Sequence, residues 1–232
     1  LQTRQYKLGI ESAQKYIKYF DSYSINWFAF MENYFLLAIH SKDYVLALNI
    51  LATAFHEQHI AKLAEYSKEC WELYRRYALL ASKHAGNDIF SHTILSNVTD
   101  SLAIIPKDKV GFNITIIILG LLEDFAKPGF DLSQSHIDRI NSYTFKYLKG
   151  PKAERAKLFF KLMLLAINSN LDYNVIIKKD KAILESLQKL PIPGSAFAEV
   201  EIIPYEHLWE IVLNIIKSRN SNSTKSIVQS SF

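Results

Sequence analysis

Apolar residues recur at helical spacing along most of the chain, and the stretch from Trp27 to Phe55 shows the pattern most fully. Trp27, Met31, Tyr34, Phe35 and Ala38 fall on one face of a first helix, and Tyr44, Ala47, Leu48, Leu51, Ala54 and Phe55 on one face of a second. Between them, His40, Ser41, Lys42 and Asp43 supply turn chemistry and a side-chain oxygen to cap the second helix. The two segments read as a helical hairpin. Its other faces are apolar as well, because Phe28, Phe30, Leu37, Ile39, Val45 and Ile50 also need cover, so the hairpin has to be sandwiched between further helices. That is the logic of a stacked helical repeat.

The rest of the chain fits the same scheme. Residues 2–20 form an amphipathic helix with Tyr6, Ile10, Ala13, Ile17 and Phe20 inward, ended by Asp21-Ser22-Tyr23-Ser24. Residues 60–84 make a long helix with Leu63, Tyr66, Cys70, Tyr74, Tyr77 and Ala81 inward and a charged outer face. Further helices are expected at 91–104, 114–126, 133–148, 152–169 and 174–190, punctuated by Gly86, Pro106, Pro128-Gly129 and Gly150-Pro151. Pro191, Pro193 and Gly194 make 191–203 irregular, with Glu199 to Ile202 alternating as an extended segment does. Pro204 opens a C-terminal capping helix over 204–218, and 219–232 read as a polar tail. The expectation is one all-α domain over 1–218, of about ten helices stacked as antiparallel hairpins, with Trp27, Trp71 and Trp209 buried.

Composition supports a large core, since 49% of the 232 residues are hydrophobic and Gly and Pro number only 7 and 6. The net charge of +4 belongs to the second half: residues 1–100 hold ten basic and ten acidic side chains, and 101–232 hold 17 against 13. The single cysteine, Cys70, cannot form an intrachain disulfide, which fits a reducing compartment, and a cytoplasmic location is expected. The longest uncharged apolar run, Ile114 to Leu122, is too short for a membrane span. No signal-peptide pattern appears; the chain starts at Leu1 rather than Met, which leaves room for an upstream leader or domain.

Asp43-Tyr44 followed by Ala47 and Ala54, after an aromatic-rich helix, resembles the tetratricopeptide repeat (TPR), in which small residues at such places let paired helices approach closely. More broadly, NWFAFMENYFLLAIHSKDY, KDKVGFNITIIILGLL, KAERAKLFFKLMLLA and EIIPYEHLWEIVLNII are similar to bacterial proteins with TPR-like helical repeats. The resemblance implies a right-handed TPR-like α-solenoid acting as a protein or peptide interaction scaffold, and no assigned activity. In such a stack the first helix of each pair lines the concave surface, which would place Glu32, Leu36, Ile39 and His40 in a partner-binding groove. Where carboxylate-clamp TPR proteins carry Lys and Asn, this chain holds Glu32 and Leu36, so capture of an acidic C-terminal peptide by that clamp is not implied.

Other chemistry is sparse. His56-Glu57-Gln58-His59 sets its histidines at i and i+3, not the i and i+4 of a zinc helix, and reads as a polar turn. Cys70 sits between Glu69 and Trp71 on a core face, where its thiol is not activated. Glu199, Glu201, Glu206 and Glu210 read as a cap and a solvated face. Lys149, Lys152, Arg155, Lys157 and Lys161, with Lys146, form the densest basic run and a candidate anion-binding face, though they straddle Gly150-Pro151 and so sit on two helices. Neither a catalytic residue nor a metal or cofactor is expected, nucleic acid is disfavoured, and self-association through the tail around Ile227 and Val228 is an option for the groove. Two rivals stand beside the scaffold reading: a helical sensor domain of a transcription regulator lacking its DNA-binding part, and an all-α enzyme, which would need a deep pocket of convergent polar groups.

Overall fold

The computed structural model describes residues 3–85, 112–127, 153–192 and 201–229, with scattered positions between 137 and 148. Among the described residues every regular element is helical, so the chain is all-α. It divides into two compact units, Leu1–Asp108 and Lys109–Phe232. The expected helix at 91–104 lies outside the described residues, as does most of 133–148.

The first unit is built from α1 (Tyr6–Tyr16), α2 (Ile25–His40), α3 (Tyr44–His56) and α4 (Glu65–His84), with short 3-10 turns at Ile17–Tyr19 and Gln58–Lys62. Each helix packs on the next in sequence. Ser24 starts α2 by accepting from the Trp27 N–H at 3.1 Å, and Asp43 starts α3 by accepting from the Leu46 N–H at 2.9 Å. Between these helices Lys42 takes the left-handed conformation (φ 64°), while the Asp43 N–H returns to the Ala38 carbonyl at 3.0 Å and the Lys42 N–H to Ile39 at 3.2 Å. This is a Schellman turn with lysine where glycine is usual. The same device ends the helix at Asn168, with Asn170 left-handed and the Leu171 N–H on the Ala166 carbonyl at 3.0 Å.

Because α2 is apolar over most of its circumference, with only Asn26, Ala29 and Asn33 toward water after the exposed Ile25, it has to be covered on several sides, and it is. Trp27, Met31, Tyr34, Phe35 and Ala38 are buried as their spacing predicts. Phe28 meets Trp71 of α4 edge to face at 6.4 Å between ring centroids, and Phe35 meets Tyr74 at 5.1 Å. On the α1 side, Tyr6 abuts His40 at 5.6 Å, and Gly9 lets α1 come so close that a Cβ there would lie 2.7 Å from a Leu37 methyl.

The second unit comprises α5 (Phe112–Ala126), α6 (Glu154–Asn168), α7 (Tyr173–Lys179), α8 (Lys181–Lys189) and α9 (Tyr205–Gln229). The helix expected over 174–190 is broken at Asp180, whose buried carboxylate accepts from the Trp209 indole N–H at 2.8 Å. The segment expected as a peripheral cap is instead the organising helix, because α9 packs on α5, α6, α7 and α8. It also runs on to Gln229, through much of the expected tail. Arg219 explains part of the difference: it donates to the Phe125 and Lys127 carbonyls (2.7 and 3.2 Å) at the C-terminal end of α5, and Asn220 donates to the Leu171 carbonyl at 3.2 Å. Trp27, Trp71 and Trp209 are all buried.

Arg155 of α6 ties this unit together. Its guanidinium forks onto both oxygens of Glu201, onto Glu206 of α9, and onto the Leu187 and Leu190 carbonyls at the end of α8 (2.8 and 2.9 Å). Glu201 also accepts from the Tyr205 N–H, and Tyr205 stacks on Phe159 at 4.7 Å. Burial pushes the Glu201 carboxyl up while the guanidinium pulls it back, and the net shift is upward. Arg155→Ala therefore strands a buried carboxylate, and the expected loss is about 3–5 kcal/mol at pH 7. A carboxyl with a raised folded-state pKa favours folding only where it is protonated, so the variant's deficit should shrink as pH falls toward the unfolded value of about 4.3. Denaturant unfolding at pH 7 and pH 4.5 checks this; an equal deficit at both would remove Glu201 from the account.

Candidate interaction surface

Exposed apolar side chains are concentrated at one edge of the first unit. Among the described residues the large exposed ones are Leu8, Tyr16, Tyr19, Phe20, Tyr23, Ile25, Tyr66 and Ile177, and six of these eight lie between positions 8 and 25. Tyr19, Tyr23 and Ile25 are 71%, 65% and 77% exposed, far more than packing at a helix terminus requires. The local sequence explains why they are left outside. Ala13 is the one buried residue of α1, whose chain then tightens into the 3-10 turn at Ile17–Tyr19. Phe20 folds back onto Phe30 at 4.5 Å, while Tyr16 and Tyr19 face each other at 6.3 Å on the surface. Ser24 then caps α2, leaving Tyr23 and Ile25 on either side of the cap.

Polar groups border this strip. The Lys15 and Lys18 ammonium groups lie over the Tyr16 and Tyr19 rings, 5.2 and 5.3 Å from the centroids. Tyr23 lies beside His59 at 6.0 Å, and the His59 Nδ1 is 2.8 Å from a Glu57 carboxylate oxygen. Hydrogen bonds from the His59 side chain and backbone hold the Glu57 carboxyl below the ordinary glutamate value. His56, expected in the same polar turn, turns its Nδ1 to the Ala52 carbonyl at 2.7 Å, so the two histidines do not converge. Among the described residues there is no group of three or more His, Cys, Asp and Glu placed to hold a metal.

The groove expected from Glu32, Leu36, Ile39 and His40 is not an open one. Ile39 and His40 are 0% and 3% exposed, covered because α2 is apolar on more faces than a groove-lining helix can leave free. Leu36 is half-buried, and the half-buried Glu32 accepts from the Tyr74 hydroxyl of α4. Burial, with Glu32 beside it, holds the Tyr74 phenol well above the usual tyrosine value, so it remains a donor. The basic run is also dispersed. Arg155 is buried in its carboxylate cluster, Lys157 sits 3.4 Å from Glu154, Lys161 is exposed, and Lys149 and Lys152 lie outside the described residues. Glu201 and Glu206, expected on a cap and solvated face, are the carboxylates that take Arg155 out of any anion-binding face. Cys70 is buried, as its core position predicts.

No protein-family model, curated protein or solved structure matches the chain. Among the described residues no helix is long and apolar enough to cross a membrane.

The exposed edge is absent from the sequence expectations, although a signal existed. With Tyr6, Ile10, Ala13 and Ile17 assigned inward, Leu8, Tyr16 and Tyr19 fall off that stripe, and large apolar residues on the outward face of an amphipathic helix are the mark of a second contact surface. Because Glu32 serves the α2–α4 contact, Tyr74→Phe should lower stability by about 1–2 kcal/mol through the lost hydrogen bond to a charged acceptor. Urea unfolding checks this, and an unchanged midpoint would return Glu32 to the surface.

Proposed function

We propose that the chain is a protein-interaction module, a TPR-like helical-repeat scaffold that docks a protein partner on the Tyr16–Ile25 edge of its first unit. The observation that carries the reading is the clustering of exposed tyrosines and aliphatic side chains there. Tyrosine offers large, rigid contact area with a polar tip and is enriched where binding energy concentrates. The repeat part of the reading is supported by the sequential packing of α1 on α2, α2 on α3 and α3 on α4, with α2 also meeting α4 through Phe28–Trp71 and Phe35–Tyr74. The surface differs from a concave groove: it is the edge where the cover of α2 runs out. The reading assigns the chain no reaction and a reducing, cytoplasmic setting, with which a single, buried Cys70 is compatible.

Site-specific photo-crosslinking tests the location. A photoreactive phenylalanine analogue at Tyr19 or Tyr23 should give a discrete heavier product with a partner protein in a lysate of the source cells. The same group at the exposed Asn49 of α3 should not. Equal products at all three sites, or none at Tyr19 and Tyr23, would move the interaction elsewhere.

A further inference from the structure

We draw no further inference here: the strongest candidate, the apolar strip of Tyr16, Tyr19, Tyr23 and Ile25 where α1 gives way to α2, is the surface already described, and nothing in the structure shows what covers it.

Discussion

A helix that is apolar over most of its circumference must be covered on most sides, and α2 imposes that requirement on the whole first unit. Trp27, Phe28, Met31, Tyr34, Phe35, Ala38 and Ile39 leave water only the narrow strip of Asn26, Ala29 and Asn33, so α1 and α3 pack on α2 and α4 meets it through Trp71 and Tyr74. The cover is unequal. Toward its C-terminal end α2 is enclosed, with His40 against Tyr6 and Ile39 without exposure. At its N-terminal end α1 has already turned away through Ile17–Tyr19, and Tyr19, Tyr23 and Ile25 are left uncovered. The proposed docking edge is thus a consequence of where α1 stops, and its apolar content is the remainder of a packing demand that the described residues do not fully meet.

The second unit is specified by polar contacts placed within an apolar core. A ridge of Leu208, Val212, Ile215 and Ile216 would pack against many helices in many registers. Arg155 narrows the choice because its fork must reach Glu201, Glu206 and two carbonyls of α8 together, and Trp209 must meet Asp180. Buried charges of this kind contribute little net stability relative to apolar replacements, yet breaking one alone is costly. We read them as fixing the register of α6, α8 and α9, which is the property a scaffold needs if its surfaces are to stay in fixed relation within the unit.

Much of this was legible in the sequence. Helical periodicity located α2, α3 and α4, the Asp43 cap and the burial of all three tryptophans, because those features depend on spacing and local chemistry alone. What spacing cannot reveal is which of two apolar faces meets another helix. Ile39 and His40 therefore read as groove residues but are buried, and Tyr23, which reads as part of a polar helix break, is a largely exposed ring. Arg155 failed for a related reason: a basic run looks solvated until the carboxylates 46 and 51 residues away fold onto one member of it. Arg219 and Asn220, in a composition typical of tails, are held by carbonyls of distant helix ends that no local pattern announces.

The most direct test of the account is hydroxyl-radical footprinting of the tyrosines, in the isolated protein and again after return to a lysate of its source cells. If the edge is an uncovered surface that binds a partner, Tyr19 and Tyr23 label rapidly in isolation and become shielded in the lysate, while buried Tyr74 and Tyr77 label slowly in both. If Tyr19 and Tyr23 label as slowly as Tyr74 in the isolated protein, or remain equally reactive in the lysate, the edge is not the docking surface and the account fails at its centre.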